Sequence, residues 1–178
     1  MRPEDIVNFW MEAGPTRWFT RDGAFDGALA VRFGAALREA RHGALDHWGE
    51  TPEGALGLVI LLDQVSRNIH RGSPLAFAAD ARALALAKDC VGRGFHQKLP
   101  PPRAMWLLMP FEHAEDLDDQ QRCLALFGIM GLSEMVYYAQ VHFDIIAKFG
   151  RFPHRNPILG RKSTQEELAF LKAGGFAG

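Results

Sequence analysis

The stretch "TPEGALGLVILLDQVSRNI", residues 51–69, predicts the fold class of this chain. It opens with Thr51, Pro52 and Glu53, which supply a capping hydroxyl, a proline for the first helical position and an acid in the first turn. The run "LGLVILL" that follows is apolar nearly all round, which is typical of a buried helix. We therefore predict a central helix that stops near Gly72.

Helical signals continue on both sides of this stretch. No run alternates with period two over any length, so no sheet is predicted. The signals that bound helices are a start at Ser73–Pro74, a kink or end at Pro110, a cap at Asp118, a long helix over 133–149, and a capping box from Ser163 to Glu166.

These signals predict an all-α protein of about eight to ten helices, packed as antiparallel pairs joined by short turns. Stacking of the pairs into a solenoid is one arrangement that fits, although no sequence repeat recurs at a fixed period. The length of 178 residues fits a single domain over 1–178.

Composition excludes several classes of function. The apolar fraction of 48% and charged fraction of 23% are ordinary for a soluble globular protein, and the net charge of −1 favours neither nucleic acid nor an anionic membrane. No apolar run approaches the length of a membrane span, and the start "MRPEDIVNFW" is not expected to be a signal peptide. The two cysteines, Cys90 and Cys123, form no disulfide framework, so we expect a cytoplasmic protein.

The first polar segment is "LLDQVSRNIHRG". Asp63 and Arg67 are spaced i,i+4, as are Gln64 and Asn68, so each pair is predicted to share a helix face. One interpretation is a solvated face with an intrahelical ion pair. The other is a buried polar cluster, because these residues directly follow the apolar run.

The second polar segment, "MPFEHAED", places Glu112, His113, Glu115 and Asp116 after a proline. A histidine beside carboxylates suits a general base or a metal ligand. The spacing matches no established metal motif, so no metal site is predicted. The structural alternative is a histidine at a helix end beside acids of the next helix start.

The third segment is "VHFDIIAKFGRFPHRNPILGR". His142 lies on an apolar helical face, which is more typical of a core histidine than of a ligand. The loop after it carries His154, Arg155 and Asn156 between two prolines, whose rigid backbone would hold polar side chains in place. Arginine offers a planar fork that suits carboxylates and phosphates. Alternatively, the loop docks helices by binding their carbonyl groups.

Taken together, "LDQVSRN", "MPFEHAED" and "HFDIIAKFGRFPHRNPILGRKSTQEE" resemble the DUF924 family of uncharacterised bacterial proteins. "WFTRDGAFD" and "RGSPLAFAADARAL" extend the resemblance over most of the chain. It implies a tetratricopeptide-like right-handed superhelix or bundle of helix pairs, and it makes "GRFPHRNPILGR" the hallmark loop. Val65–Ser66 departs from the family pattern, which bears only on local packing. The resemblance supplies no activity.

The favoured hypothesis is a small-molecule pocket for an anionic carboxylate or phosphate, with histidine–carboxylate acid–base chemistry. Arg67, Arg155 and Arg161 would clamp the anion, and no cofactor or oligomeric state is predicted. The predicted catalytic residues are His113, His154, Glu112 and Asp63, and the predicted ligand-binding residues are Gln64, Arg67, Asn68, Arg151, Arg155, Asn156 and Arg161.

Two alternatives stay open. A tetratricopeptide-like groove could bind an extended peptide, with Trp18, Phe19, Trp48 and Trp106 as exposed anchors. Alternatively, the polar residues form a network that only stabilises the fold. A subsidiary hypothesis makes His113, Glu115 and His142 metal ligands.

Overall fold

The computed structural model describes residues 1–176, and these residues form helices and no strand. When the continuous run from Pro52 to Ile69 is counted as one helix, they contain ten α-helices, which confirms the all-α prediction. The helices are α1 Pro3–Ala13, α2 Pro15–Trp18, α3 Gly23–Arg41, α4 (Pro52–Val59, a π-helical stretch Ile60–Val65, then Ser66–Ile69), α5 Asp80–Gly92, α6 Phe95–Lys98, α7 Pro101–Glu112, α8 Leu117–Ile129, α9 Ser133–Phe149 and α10 Gln165–Lys172. Short 3₁₀ helices cover Asp46–Glu50, Pro74–Ala76 and Pro153–Arg155.

Packing divides the chain into two compact units. The first unit comprises Met1–Arg71 and Leu75–Pro110, and the second comprises Gly72–Pro74 and the chain from Phe111 onward. The prediction of one domain over 1–178 therefore stays a prediction. Among the helices that the structure describes, none has the length and apolar character needed to cross a membrane.

Helix α4 is the core of the first unit, as its sequence predicts. The Thr51 hydroxyl accepts a hydrogen bond from the Gly54 N–H at 3.1 Å and caps the helix. Every residue from Gly54 to Ser66 is buried, and α1, α3 and α5 pack against this helix. A Cβ atom on Gly57 would lie 2.9 Å from Pro3, so the close approach of α1 requires glycine there.

Two of the aromatic anchors proposed for a peptide groove are core residues instead. Trp106 is fully buried and Trp48 is 6% exposed, so neither can present its ring to a partner. The Trp106 ring packs edge-on against Trp10 and Trp18. Phe19 is 62% exposed and remains available.

Helix α5 begins later than the sequence signal at Ser73–Pro74 indicates. Residues Pro74–Ala76 form a single 3₁₀ turn, and the α-helix starts at Asp80. Side chains from α3 and α4 bind carbonyl groups that would accept backbone hydrogen bonds in a continuous helix. The Leu75 carbonyl accepts from Arg41, and the Ser66 hydroxyl lies 3.3 Å from the Ala76 carbonyl.

In the second unit, α8 and α9 are connected through residues 130–132 and pack against each other. The start of α8 differs from prediction, because Asp116 rather than Asp118 is the N-cap and accepts from the Asp119 N–H at 3.0 Å. Pro110 does not end α7, which continues to Glu112.

The capping box of α10 is one residue later than predicted. Thr164 and Glu167 form it, in place of Ser163 and Glu166. The Thr164 N–H donates to Glu167 at 2.7 Å, and the Glu167 N–H donates to the Thr164 hydroxyl at 3.2 Å. The capping box uses Glu167 rather than Glu166 because Arg151 also binds the Glu167 carboxylate.

Candidate acid–base site

The structure separates the predicted site residues into two groups. Asp63, Gln64, Arg67 and Asn68 belong to the first unit. The others belong to the second unit, where helix ends and the segment "GRFPHRNPILGR" bring them together: Glu112, His113, Arg151, His154, Arg155, Asn156 and Arg161. Their catalytic and binding roles stay predictions.

The first group is a buried polar cluster on α4 rather than a solvated face. Asp63 is 1% exposed and accepts from Arg67 at 3.2 Å, so the predicted i,i+4 ion pair is present. Gln64 and Asn68 take different partners. Gln64 donates to Asp63 at 2.6 Å, and Asn68 donates to Asp26 at 2.8 Å. Because the π-helical stretch spans Ile60–Val65, the faces differ from those of a regular α-helix.

In the second unit, Glu112 is positioned by the end of helix α7. The Gln120 side-chain amide donates to the carbonyl groups of Glu112 at 2.6 Å and Ala114 at 2.8 Å. It thereby satisfies acceptors that the end of a helix leaves open. The Glu112 carboxylate is 3.3 Å from Nδ1 of His142 on α9. Glu112 is 3% and His142 is 6% exposed, so this pair is almost entirely removed from water.

The hydrogen bonds of His142 determine its tautomer. Nδ1 lies 2.9 Å from the Tyr138 carbonyl oxygen, which can only accept, so Nδ1 carries the proton. Nε2 is then the nitrogen with the lone pair. Burial lowers the pKa of His142 to about 4, although the bond to the Tyr138 carbonyl acts in the opposite direction. At neutral pH this imidazole is an uncharged base.

Three further basic groups surround His142, namely His113, Arg155 and His154. Repulsion between the protonated forms of these groups and a protonated His142 adds to the effect of burial and lowers the pKa of His142. The Arg155 guanidinium donates to the His113 carbonyl at 3.1 Å and lies 4.4 Å from the Phe152 ring centroid. We call Glu112, His113, His142, His154 and Arg155 the histidine cluster.

Two aromatic rings pack against two imidazoles of the histidine cluster, those of His142 and His154. The Phe152 ring is 5.4 Å from the His142 ring and 5.7 Å from the His154 ring. The Phe176 ring is 4.5 Å and 5.4 Å from the same two imidazoles. These walls reduce the local dielectric constant, which strengthens every electrostatic interaction inside the cluster.

The remaining arginines of the segment bind carboxylates. Arg161 donates to both oxygens of Glu115, at 2.5 and 2.9 Å, and Arg151 donates to both oxygens of Glu167, at 2.6 and 2.9 Å. Asn156 donates to Glu167 at 3.2 Å and accepts from Arg161 at 2.9 Å, so it connects the two pairs. We call Arg151, Asn156, Arg161, Glu115 and Glu167 the arginine–glutamate network.

The pKa values of both glutamates follow from these contacts. The Arg151 guanidinium lowers the pKa of Glu167 to about 2, and the bonds from Thr164 and Asn156 contribute. Partial burial raises the pKa of Glu115. Hydrogen bonds from Arg161 and the Phe152 N–H lower it by more, so its pKa lies below the usual value. Both carboxylates are ionised at neutral pH.

A family model described as a bacterial protein of unknown function, DUF924, matches residues 6–175. The chain belongs to the DUF924 family. A solved structure of a protein of unknown function from Agrobacterium tumefaciens is 41% identical, with 97% of each chain covered and a TM-score of 0.92. A search among curated proteins gave no match. The family expected from the sequence motifs is thus confirmed, whereas the tetratricopeptide-like arrangement stays a prediction.

Sequence reasoning on this DUF924 protein missed two features of the candidate site in the second unit. His142 was interpreted as a core histidine or a metal ligand, and its pairing with Glu112 was not foreseen. Its position one turn after Tyr138 could have indicated the bond to that carbonyl. Gln120 gave no signal at all, because its contacts depend on where α7 ends.

Among the described residues, no group of metal ligands lies at the histidine cluster, and the cavity described below lies in the first unit. Within residues 1–176 no three histidine, cysteine, aspartate or glutamate side chains are grouped so that they could hold a metal ion. A cavity of about 230 Å³ lies in the first unit of this DUF924 protein, and no predicted site residue lines it. The cavity is lined by Asp46, Leu58, Leu62, Arg82, Ala85 and Leu86.

Proposed function

We propose that the chain is an enzyme that carries out acid–base chemistry on a small anionic molecule at the histidine cluster. The observation that carries this proposal is the buried pair of Glu112 and His142, 3.3 Å apart. A buried ionisable pair contributes little to stability compared with apolar residues of the same volume. Perturbed pKa values of this kind are common at catalytic sites.

In this proposal His142 is the general base and Glu112 supports it. Nε2 of the neutral imidazole takes a proton from the substrate, and the ring becomes positively charged. The Glu112 carboxylate, on the Nδ1 side, stabilises that charge and holds the ring in one orientation. His113 or His154, which the sequence favoured as the acid–base group, would then return the proton.

The positive charge near His142 favours an anionic substrate. Arg155 supplies it, as its effect on the pKa of His142 indicates. Fewer arginines are available to bind the anion than the three that the sequence predicted. Arg161 is bound to Glu115, and Arg67 is bound to Asp63 and Asp80, which leaves Arg155 as the member that lies in the histidine cluster.

A thermal-shift screen tests this proposal. Wild type would be screened against phosphates, nucleotides and carboxylates, because a ligand that binds only the native state raises the melting temperature. We expect a stabilising anion in wild type whose effect is lost in His142→Asn and Arg155→Gln. His47→Asn is the matched control, since it removes an exposed imidazole from the first unit.

Compounds that stabilise wild type would next be incubated with the protein and followed by NMR for chemical conversion. Conversion by wild type and His47→Asn, with loss in His142→Asn, is the expected result. If no compound shifts the melting temperature, or if every shift found in wild type persists in both cluster variants, the proposal is wrong.

The arginine–glutamate network favours a second function, which is stabilisation of the second unit. The specific observation is that Arg151 and Arg161 each bind both oxygens of one carboxylate. Bidentate pairs of this kind are among the stronger polar interactions in proteins. Substitutions in this network should therefore change stability without changing which anions bind, which the same screen measures.

A further inference from the structure

Arg41, the last residue of α3, is a partly buried guanidinium that makes no ion pair. Its Nη2 donates to the Ser66 hydroxyl at 2.8 Å and to the Leu75 carbonyl at 2.5 Å, both of which are neutral. Its Nε is buried and has no hydrogen-bond partner among residues 1–176. No carboxylate of residues 1–176 neutralises this charge, and burial accordingly lowers the pKa of Arg41.

Several other arginines of the first unit behave differently, because each of them is bound to a carboxylate. Arg67 binds Asp63 and Asp80, and Arg71 binds Asp26. The same holds for two more exposed pairs, Arg82 with Asp46 and Arg93 with Asp89. A desolvated guanidinium that lacks such a partner is an arrangement suited to an external anion.

His70 directly follows α4, the helix whose Ser66 hydroxyl binds Arg41. It is four residues after Ser66, and its N–H donates to the Ser66 carbonyl at 3.1 Å, so the two side chains share a face at the end of α4. The Ser66 hydroxyl is the group that Arg41 binds. Burial and the charge of Arg41 both lower the pKa of His70, which is consistent with this proximity.

We propose that Arg41 and His70 form an oxyanion site in the first unit, with inorganic phosphate or a phosphomonoester as the ligand. The guanidinium and the imidazole would donate from the ends of two different helices, α3 and α4. A tetrahedral phosphate presents separate oxygens to both, whereas a carboxylate has only two in one plane. This site shares no residue with the histidine cluster, so either proposal can fail alone.

Calorimetric titration with inorganic phosphate tests the proposal, at an ionic strength held constant with chloride. We expect wild type to bind and Arg41→Gln to lose affinity by about tenfold or more, as for removal of a charge-assisted hydrogen bond. Arg38→Gln is the matched control, because it removes an equal charge from an exposed position on the same helix. It should bind as wild type does.

Two further variants make the result specific. His70→Asn should weaken phosphate binding by a smaller factor than Arg41→Gln, and it keeps the test valid if Arg41→Gln does not fold. His142→Asn should bind phosphate at this site with unchanged affinity, which separates it from the histidine cluster. The absence of binding in wild type, or equal affinity in wild type, Arg41→Gln and His70→Asn, would overturn the proposal.

Discussion

The second unit contains two polar regions, one whose surroundings favour the charged form of a side chain and one whose surroundings favour the neutral form. In the arginine–glutamate network, hydrogen bonds from Arg151 lower the pKa of Glu167 to about 2 and so favour its ionised form. In the histidine cluster, burial lowers the pKa of His142 to about 4 and so favours its neutral form. The segment "GRFPHRNPILGR" contributes residues to both regions.

Under the proposed function, this difference gives the arginine–glutamate network a stabilising role and the histidine cluster an acid–base role. A carboxylate held ionised by a bidentate guanidinium has no further capacity to exchange protons near neutral pH, and its contribution is structural. A buried imidazole held neutral keeps a lone pair and can take up a proton when a substrate supplies one. The same loop can therefore stabilise the unit with Arg151 and Arg161 and support catalysis with His154 and Arg155.

The largest expected effect is that of Arg151→Ala. This change leaves the Glu167 carboxylate, which is 2% exposed, without its cation. Because the Glu167 carboxylate is out of water, removing its bidentate partner should lower the free energy of unfolding by more than any change described below. Denaturant-induced unfolding of wild type and variant measures it.

Lys148→Ala is the control for that measurement. Lys148 pairs with Glu166 at 3.1 Å, but both side chains are more than half exposed. Exposed pairs of this kind contribute at most about 1 kcal/mol. If the two variants unfolded at the same denaturant concentration, the network would not be the stabilising region.

The next effect concerns pH and distinguishes the cluster from the network. His142 has a folded pKa of about 4 against a usual value of 6.5, so the unfolded chain binds more protons between these values. Stability contributed by neutral His142 is complete above pH 6.5 and is lost as the pH falls towards 4, by about 3 kcal/mol.

Unfolding free energies measured from pH 7 to pH 4 check this prediction. His142→Asn should show a shallower decline with falling pH than wild type, because its side chain does not titrate. An identical decline in both proteins would show that His142 is not the group responsible.

A smaller effect is expected from Arg161→Lys, which keeps the positive charge but loses the planar guanidinium that binds two oxygens at once. Arg161 donates to both oxygens of Glu115, to Asn156 and to the Phe152 carbonyl. A lysine can replace only part of this set, and we expect a loss of about 1 to 2 kcal/mol. Thermal and denaturant unfolding measure it. A variant as stable as wild type would mean that charge alone, and not geometry, matters at this position.

The smallest effect tests the register of the α10 cap. Thr164→Ala removes the hydroxyl that accepts from the Glu167 N–H and should destabilise by about 1 kcal/mol. Ser163→Ala removes only an acceptor for Asn156, and we expect roughly half that loss. The opposite order in unfolding experiments would support the register predicted from the sequence.

Much of the fold was predictable because its signals are local. Thr51 and Pro52 start α4, and the helix over 133–149 has the predicted bounds. Errors arose where a distant side chain overrides a local signal. The start of α5 is displaced by bonds from Arg41 and Ser66, and the α10 cap follows Glu167 because Arg151 binds it.

The candidate site was predictable in its residue types and less so in its pairings. Glu112, His113, His154 and Arg155 were named from the sequence, and all four lie in the histidine cluster. His142 was assigned differently, since its role depends on the distance to Glu112 on another helix. Asp63 and Arg67 were paired correctly because they are neighbours on one helix.

The sequence by itself determined the helical class, the family and the central position of α4 within its unit. Each of these depends on periodicity, capping residues or a continuous motif, which act over a few residues. Only the tertiary structure decided which carboxylate each cation binds and which groups lose contact with water. Arg151 became part of a stabilising pair and His142 became a neutral base because charge and pKa depend on partners brought together by folding.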